Sequence, residues 1–480
     1  MKKFLLLLFT VFLLSNAYST DKKYYSQGTG DFSIANYANW NTNRGGGGTS
    51  PTSYLQARDT FVIQATHVLT VPLAMQFGFA PTGGSVLQVE NGGVLSGNPG
   101  GLQPLTIRAN NTFKLDDGAT FYHYNTSFTQ IFTGIENFAA TSNFYISNTG
   151  NGNGPSTANV TGSFGNLFFT PNAGVTTYCN GLLPNIAGNL TINSSSSKLY
   201  LGGNSTITPP GTDTLNIGGN LSINNGMLIY SKDSTVGIIN LSGNFSISSG
   251  GYMQNQCDVN PSTCYLNFVK NGIQTFTKVS NQGSIGGSGG SPSVGRSIDF
   301  VVKSGSVLDL ANYVFESVNG DNTINFNLNS GAGLITSNTN LNAGNPGALT
   351  TVGSVGTFRN NGTRVFSTGA SYTFNGASAQ QTGNALPATV KNLTINNSFG
   401  VTLTGSCTVT DSLNLTSGLL TTAANTLTIA ASGKVLNASA NRYVNGNLKK
   451  FIPMNAAAAS FEIGVATVYA PVNLSFSGTI

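Results

Sequence analysis

The chain has 480 residues, of which 8% are charged and 39% hydrophobic, with 60 glycines and a formal net charge of +5. So few charged residues argue against a helical protein, whose exposed faces need many Lys, Glu and Arg side chains. The 10% aromatic content argues against a disordered chain. Basic residues are scattered, which argues against a nucleic-acid partner because such a partner needs a concentrated positive patch.

The start of the chain, residues 1–17, has the three parts of a secretory signal peptide. Lys2 and Lys3 form a basic start, residues 4–14 an apolar stretch, and residues 15–17 a cleavage site of small residues. The apolar stretch is too short to cross a bilayer, and no later stretch approaches the roughly 18 apolar residues of a membrane helix. We therefore expect an exported protein, secreted or at the cell surface, with no transmembrane segment in the mature chain.

Residues 18–84 are expected to form an N-terminal cap together with the first strands. Trp40, the single tryptophan of the chain, precedes a run of four glycines at 45–48. Residues 59–71 then alternate polar and apolar side chains in two short segments, a pattern typical of half-buried strands. A stacked β-structure needs a cap, because an uncovered end would expose core side chains and unpaired backbone groups.

Residues 85–440 are predicted to be β-helix repeats. The motifs GNLFF, GNLTI, GNLSI and GNFSI begin at positions 165, 188, 219 and 243. The motif therefore recurs about every 20 to 30 residues, a period typical of a solenoid, whose units bury their apolar faces only by stacking on one another. A row of β-sandwiches is the alternative, but it would recur at about a hundred residues. The spacing favours an all-β fold, a right-handed parallel β-helix.

The clearest part of this repeat is the segment 391–437, where apolar residues alternate with Thr, Ser and Asn. This alternation predicts half-buried strands. The predicted inward residues are the pairs Leu393/Ile395, Val401/Leu403, Leu413/Leu415 and Leu427/Ile429. Asn and Thr side chains at repeated outward positions are expected to stack into ladders along the solenoid.

Residues 441–480 break the repeat. A lysine pair, a proline and an alanine run separate two new strand patterns, SFEIGV and APVNLSF, which have no repeat spacing. We expect this segment to be the start of a β-sandwich-like module. Two or three strands do not form a stable sandwich alone, so the module is expected to be incomplete.

The units GNLTI, TLNIGGNLSINNGML and FNGASAQQT, with the segment 392–429, resemble the repeats of large secreted or cell-surface β-helix proteins of Bacteroidetes-type bacteria. The closing YVNGNLKK and FEIGVATVYAPVNLSF are similar to the module that often follows those repeats. The resemblance implies a β-helix fold and an adhesin-like role. A carboxy-terminal sorting domain is frequent in that group and is not seen here, which we interpret as truncation or another export route.

Candidate catalytic residues are few. The adjacent carboxylates of Asp116 and Asp117 lie in LDDGAT, which is a turn signal before it is a catalytic pair. Lys114 and His123 lie nearby in the chain, but His123 and His67 fit better as ordinary strand residues. No G-x-S-x-G elbow occurs on a strand-to-helix turn, and neither histidine has an evident aspartate partner. We therefore assign no catalytic and no cofactor-binding residue.

The cysteines do not form a disulfide framework for a chain of this length. Cys257 and Cys264 bracket the loop CDVNPSTC, and in an oxidising compartment they either close a small disulfide or remain thiols. Cys179 and Cys407 have strand-like surroundings and are interpreted as small buried hydrophobic residues.

Metal ligands are also sparse. Asp258 and Asn260 offer oxygen atoms in the same loop, but a cluster of acidic ligands is missing. The tandem glycine-aspartate repeats of calcium-binding β-helices are absent. We therefore assign no metal site.

The expected function is that of a non-catalytic secreted or cell-surface adhesin-like protein, which presents polar and aromatic loops to glycans or other surfaces. The alternative is a β-helix polysaccharide lyase or glycoside hydrolase, which requires paired carboxylates or an acidic site with a basic residue. A lesser alternative is an ice-binding solenoid. It is suggested by the T-x-T pairs Thr402/Thr404, Thr408/Thr410 and Thr426/Thr428.

Overall fold

The computed structural model describes most of the chain after residue 20. The described ranges are 21–31, 36–71, 75–78, 83–97, 105–125, 134–148, 150–155, 160–179, 183–201, 212–230, 236–256, 262–278, 284–286, 296–317, 322–339, 347–351, 356–465 and 467–477. Within them the regular structure is β-strand, apart from a 3-10 turn at Tyr37–Asn39. The chain forms two compact units that divide between Asn172 and Ala173.

The strands of the first unit are short, because each one covers a single side of a coil. They are β1 (Lys23–Ser26), β2 (Gly30–Asp31), β3 (Trp40–Asn41), β4 (Thr60–Ile63), β5 (Val68–Thr70), β6 (Met75–Phe77), β7 (Val86–Val89), β8 (Val94–Ser96), β9 (Leu105–Ile107), β10 (Thr112–Leu115), β11 (Thr120–His123), β12 (Ile135–Phe138), β13 (Asn143–Ile146), β14 (Gly152–Asn153) and β15 (Asn166–Phe169).

Parallel pairing arranges these strands in stacked sheets. The first sheet contains β1, β4, β7, β10 and β12, the second contains β2, β5, β8, β11, β13 and β15, and β6 pairs with β9. In the first sheet Thr60 pairs with Val86, Val86 with Thr112 and Thr112 with Ile135. Each paired strand is a rung of the stack, and the chain makes one coil between a rung and the next. The coils here are of similar length. Each coil returns to the same sheet in the same direction, which is the geometry of a parallel β-helix.

The core of the first unit is a stack of phenylalanine rings. Alternation along TFKL, TFYH and NFYI places every second side chain inside. Phe113, Phe121 and Phe144 are buried in this way, and Phe164 is buried next to Phe144. Successive ring centroids lie 5.2, 5.1 and 4.9 Å apart. Edge-to-face packing of this kind adds to the free energy gained from burial alone.

The N-terminal end of the first unit differs from the rungs that follow it. Strand β3 pairs with β1 in the antiparallel direction. Trp40 of β3 is fully buried, and its ring lies 5.2 Å from Phe61 and 6.2 Å from Tyr54, both edge-on. This aromatic cluster holds the antiparallel strand against the first parallel rung. The bounds predicted for the cap stay a prediction.

The strands of the second unit are more numerous and include longer ones. They are β16 (Thr176–Tyr178), β17 (Leu190–Tyr200), β18 (Thr212–Ile217), β19 (Leu221–Ile229), β20 (Val236–Leu241), β21 (Phe245–Ile247), β22 (Gly251–Gln254), β23 (Ser262–Phe268), β24 (Gly272–Lys278), β25 (Ser284–Ile285), β26 (Arg296–Val302), β27 (Ser306–Asp309), β28 (Phe315–Glu316), β29 (Thr323–Leu328), β30 (Gly333–Thr336), β31 (Phe358–Arg359), β32 (Arg364–Phe366), β33 (Ser371–Phe374), β34 (Gln380–Gln381), β35 (Thr389–Asn396), β36 (Val401–Thr402), β37 (Cys407–Ser417), β38 (Leu420–Thr421), β39 (Leu427–Ile429), β40 (Lys434–Leu436), β41 (Val444–Asn445), β42 (Leu448–Lys450), β43 (Ala458–Phe461), β44 (Ile463–Val465), β45 (Val468–Tyr469) and β46 (Val472–Ser475).

Most strands of the second unit again pair in parallel. One long sheet contains β16, β17, β19, β21, β22, β24, β25, β27, β30, β33, β35, β37, β39, β40 and β42, and a second contains β18, β20, β23, β26, β29 and β32. Strand β28 pairs with β31, and a further sheet contains β34, β36, β38, β41 and β44. The prediction of an all-β parallel β-helix is therefore confirmed.

The repeated motifs that begin with Gly-Asn, called here the GN-x repeat, lie at equivalent positions on paired strands. Leu190 of GNLTI pairs with Leu221 of GNLSI, and Leu221 pairs with Phe245 of GNFSI. The asparagine of each motif also accepts a hydrogen bond from the backbone of its counterpart on the next rung, 31 and then 24 residues later in the chain. Extra residues in the longer coil do not disturb the register of the paired motif, as expected of a solenoid.

The segment 391–437 has the inward residues predicted for it. All eight alternating apolar residues are buried. Leu393 pairs with Leu413, and Cys407 pairs with Leu427, so the coils here are short and equal in length. Local alternation was sufficient for this prediction because each strand has one buried face.

Amide and hydroxyl side chains form the expected outward ladders. Asn240 Nδ2 donates to Asn216 Oδ1 at 2.9 Å, and Asn267 Nδ2 donates to Asn240 Oδ1 at 2.9 Å. Farther along the chain, Ser412 Oγ donates to Asn392 Oδ1 at 2.7 Å. These hydrogen bonds follow the stacking direction, since their partners occupy equivalent positions on neighbouring rungs.

Parallel pairing continues beyond residue 440. Leu427 pairs with Leu448 of β42, and Val444 pairs with Ile463 of β44. Strand β45 then pairs antiparallel with β44, and β43 with β46. This segment therefore contains parallel rungs as well as antiparallel pairs, and the predicted sandwich-like module at 441–480 stays a prediction.

Candidate functional site

Four turns closed by the same backbone hydrogen bond join the first sheet of the first unit to the second sheet. They comprise residues 64–67, 90–93, 116–119 and 139–142. In each turn the backbone N–H of the fourth residue donates to the carbonyl of the first, with N···O distances of 2.8–3.1 Å. Because the preceding strands pair in register, Gln64, Glu90 and Asp116 lie on successive rungs at one corner. The turn predicted at LDDGAT is confirmed.

One glycine of this corner is required by its surroundings. Gly118 has a φ of +71°, and a Cβ atom there would lie 2.6 Å from the side-chain oxygen of Asn91. Glycine adopts this backbone conformation without strain, and it leaves room for the amide on the neighbouring rung. A larger residue at position 118 would displace the side chain of Asn91 from the corner.

A groove of about 480 Å³ lies at this corner. It is lined by Ala65, Glu90, Asn91, Lys114, Leu115, Asp116, Asp117, Asn137 and Ala139. Three carboxylates, one ammonium group and two carboxamides therefore converge on one concavity. Convergent polar groups in a concave site are typical of a binding site for a polar ligand.

The charged groups of this corner groove already have partners within the protein. Arg44 forms an ion pair with Glu90, and Lys114 Nζ lies 2.7 Å from Asp116 Oδ1. Asp117 Oδ1 accepts a hydrogen bond from Thr141 Oγ1 at 2.7 Å. These contacts orient the carboxylates, and each carboxylate oxygen keeps further lone pairs for a ligand. Within the described ranges, no group of three or more His, Cys, Asp or Glu side chains is placed to hold a metal ion.

Beside the groove, the outward face of the second sheet carries an aromatic column, which consists of Tyr122, Tyr145 and Phe168. These residues pair in register on β11, β13 and β15 and are half-buried. Their ring centroids are 4.5 and 4.4 Å apart, with interplanar angles of 26° and 9°. Burial raises the pKa of the Tyr145 hydroxyl above its ordinary value.

An amide column separates the aromatic column from the corner groove. Asn166 Nδ2 donates to Asn143 Oδ1 at 3.0 Å, and Asn143 Nδ2 donates to Thr120 Oγ1 at 3.5 Å. Asn166 Nδ2 also lies 3.4 Å from the carbonyl of Thr141, whose hydroxyl contacts Asp117 in the groove. The groove, the amide column and the aromatic column therefore form one connected surface of the first unit.

Neither histidine lines the groove. His123 points inward from β11 towards Phe121 and Phe144, and burial lowers its pKa to about 3. His67 Nδ1 accepts a hydrogen bond from the backbone N–H of Gly28 at 3.2 Å and lies 2.7 Å from the hydroxyl oxygen of Ser26. Ser26 is fully buried, so its pairing with His67 does not offer a nucleophile to a substrate.

The cysteines are buried wherever the structure describes them. Cys179 and Cys407 are small buried residues as predicted, and burial raises the pKa of both thiols. Cys264 is also buried, and its Sγ accepts a hydrogen bond from the backbone N–H of Gly237 at 3.4 Å. The loop residues 257–260, which include the other half of the predicted disulfide and both oxygen ligands considered with it, lie outside the described residues. That pairing stays a prediction.

The three T-x-T pairs do not form one array. Thr402 lies on β36, whereas Thr408 and Thr428 pair with each other on β37 and β39, in a different sheet. Thr410 Oγ1 donates to the carbonyl of Val390 at 3.2 Å, and Thr404 Oγ1 accepts from a backbone N–H. These two hydroxyls are used within the protein, and ice binding stays an untested hypothesis.

Several residues of this surface were missed by the sequence reasoning. Arg44 and Glu90 are 46 residues apart, and nothing local to either one indicates their contact. The aromatic column has a detectable signal, since TFYH, NFYI and NLFF begin at positions 120, 143 and 166, at equal intervals within the range of the repeat. Extending the GN-x repeat upstream to SNFYI would have placed Tyr145 and Phe168 on one face.

The candidate site is therefore the corner groove together with the amide and aromatic columns beside it. All of its residues belong to the first unit. No helix in the described part of the chain is long and apolar enough to cross a membrane. Comparison of the chain with protein-family models, with curated proteins and with solved structures finds no match.

Proposed function

We propose that this chain is a non-catalytic, exported adhesin-like protein that binds glycans through the corner groove and the columns beside it. The observation that carries the proposal is the convergence of Asn91, Lys114, Asp117 and Asn137 on one groove of about 480 Å³. Sugars present many hydroxyl groups, which act as both donors and acceptors. A groove that offers carboxylates, carboxamides and an ammonium group meets both needs.

The rigidity of the surface supports the same function. Its side chains stand on strands and tight turns of the stack, and several are fixed by contacts on the neighbouring rung, as Thr141 fixes Asp117. Fixed groups lose little conformational entropy when a ligand binds. The aromatic column adds an apolar strip with two phenolic hydroxyls, the amphipathic kind of surface that tyrosine provides.

Export is part of the proposal and rests on the sequence. The predicted signal peptide at residues 1–17 lies outside the described residues. A basic start, an apolar stretch and small residues before the cleavage site support it. Secretion or attachment at the cell surface would place the groove where polysaccharides of other cells or of the surroundings are accessible.

The proposal is tested by changing the exposed amides of the groove. Replacing Asn91 and Asn137 together by Ala removes two carboxamides and is expected to weaken glycan binding by at least ~10-fold, equivalent to about 1.4 kcal/mol. Binding of the full chain is first located on a glycan array and then measured by titration calorimetry. The double variant Asn396→Ala/Asn441→Ala, which changes two exposed amides of the second unit, is the matched control.

Two results would contradict the proposed function. One is a wild-type chain that binds nothing on the array and does not adhere to polysaccharide-coated surfaces. The other is equal affinity in the groove variant and in its control, since the corner would then take no part in binding.

A polysaccharide lyase or hydrolase is the second candidate, because Glu90, Asp116 and Asp117 line one groove together with Lys114. Binding is favoured over catalysis because each carboxylate already has an internal donor or cation as its partner. An enzyme would release soluble products from polysaccharides, and Asp116→Asn/Asp117→Asn would abolish that release. We expect no release from the wild-type chain, measured as new reducing ends or unsaturated products.

A further inference from the structure

We infer that the ligand is an extended, uncharged β-linked glycan that lies along the stacking direction, with successive sugars on successive rungs. This inference rests on the proposed function and specifies its ligand class. It follows from three features of the candidate site: the repeat distance of its polar groups, its charge balance, and the straight path that its columns define.

The repeat distance comes from the strand spacing. Neighbouring strands of a sheet lie about 4.8 Å apart, and a pyranose ring in an extended chain advances by nearly the same length. The site repeats its groups at this distance, as the centroid separations of 4.5 and 4.4 Å between Tyr122, Tyr145 and Phe168 illustrate. Thr120, Asn143 and Asn166 repeat beside them in the same register. A polymer of matching period meets equivalent groups on each rung.

The charge balance favours an uncharged chain. Arg44 neutralises Glu90, and Lys114 neutralises Asp116, so Asp117 is the carboxylate of the groove without a cation in contact among the described ion pairs. Its remaining lone pairs accept hydrogen bonds from sugar hydroxyls. A uronate or a sulfated sugar would instead bring a like charge to this carboxylate, and such a juxtaposition costs binding energy.

The path of the columns favours an extended chain over a helical one. The groups of the site advance from rung to rung without leaving their register positions on β11, β13 and β15. An α-1,4-linked glucan coils away from a straight row after a few sugars, whereas a β-1,4-linked glucan remains straight. The rings of the aromatic column stack face to face, so they offer edges and hydroxyl groups along this line rather than a single open ring face.

The test compares linkage, length and charge with the full chain by titration calorimetry. The probes are β-1,4-linked and α-1,4-linked glucose oligomers of increasing length, and a carboxymethylated form of the β-linked polymer. We expect affinity to rise with each added β-linked sugar until the site is filled. We also expect at least ~10-fold weaker binding of the α-linked and the carboxymethylated probes.

A variant within the aromatic column tests the alignment. Tyr145→Ala interrupts the middle of the column and is expected to remove the gain in affinity with length, whereas Tyr145→Phe retains the stack and most of that gain. The matched control is Tyr178→Ala, which removes one ring of the stacked pair with Tyr200, at 4.6 Å, in the second unit.

The outcomes separate this inference from the proposed function. Binding that is independent of chain length, equal for both linkages, or stronger for the carboxymethylated polymer would overturn the inference and leave glycan binding intact. Loss of the length dependence in Tyr178→Ala as well as Tyr145→Ala would also overturn it. An absence of binding to every glycan on an array would overturn the proposed function itself.

Discussion

Replacing Gln380 by Leu is expected to lower the free energy of unfolding of the second unit by about 4 kcal/mol. Each buried polar group that loses its partner costs about 1–3 kcal/mol, and this substitution affects more than one such group. The side-chain oxygen of Gln380 accepts from the backbone N–H of Gly376 at 2.7 Å and from Asn397 Nδ2 at 2.9 Å. Its Nε2 donates to the carbonyls of Thr336 and Asn338 at 3.1 and 3.2 Å. Leucine leaves all four contacts unmade in the interior.

The same arrangement recurs earlier in the chain, at Gln274 on β24, and provides an internal replicate. Gln274 Oε1 accepts from the backbone N–H of Lys270 at 3.0 Å, and its Nε2 donates to the carbonyls of Leu241 and Gly243. Gln274→Leu is therefore expected to destabilise the second unit by a similar amount. In both cases a buried glutamine closes a corner by joining its own turn to the preceding rung.

Urea-induced unfolding followed by circular dichroism measures this effect. The matched control is Gln381→Leu, which changes the neighbouring half-exposed residue on the outward side of β34. A surface change of this kind is expected to alter stability by no more than about 0.5 kcal/mol. Equal midpoints for Gln380→Leu and Gln381→Leu would show that the buried contacts contribute nothing to stability.

Lowering the pH is expected to destabilise the first unit through His123. This side chain is fully buried, and its pKa falls from 6.5 to about 3 because burial disfavours the imidazolium ion. Between those values the unfolded chain binds a proton that the folded chain does not, so the free energy of unfolding falls as the pH is lowered through this window. The loss is about 1.4 kcal/mol per pH unit, or roughly 5 kcal/mol over the whole window.

Substitution of His123 isolates this contribution from that of the carboxylates. His123→Gln keeps a neutral polar side chain, and its stability is expected to fall less steeply between pH 6.5 and pH 3 than that of the wild type. His67→Gln, which retains His123, is the control. The fluorescence of Trp40, the single tryptophan of the chain, reports unfolding of the first unit. Parallel pH profiles for the wild type and His123→Gln would contradict the assignment.

Much of the fold could be predicted from the sequence because its determinants are local. The buried faces of residues 391–437 follow from alternation, and the register of Leu190, Leu221 and Phe245 follows from the repeated GN-x motif. Asp116 and Asp117 were recognised as a turn for the same reason, since turn residues act on their own backbone.

The composition of the groove could not be predicted, because it depends on coil lengths. Glu90 lies on the rung before Asp116 only because Val86 pairs with Thr112, and a coil of any other length would bring a different residue to that corner.

Coil lengths vary along the chain. Side chains bonded across neighbouring rungs are 20 residues apart in one part of the second unit and 38 residues apart in another. Insertions of this size leave no periodic signal, so residues that meet across rungs, such as Arg44 and Glu90, cannot be paired by spacing alone.

The change in coil length within the second unit affects how such a chain can evolve. Where Phe326 pairs with Arg364 across a long coil, the interior holds packed phenylalanine rings such as Phe315 and Phe358. Where Leu393 pairs with Leu413 across a short coil, the interior is aliphatic. A gene rearrangement that exchanged these coils would set phenylalanine rings against a layer packed with smaller aliphatic side chains, and close packing tolerates such a mismatch in side-chain volume poorly. We therefore expect duplications and exchanges to be tolerated best between neighbouring coils whose interior side chains are alike.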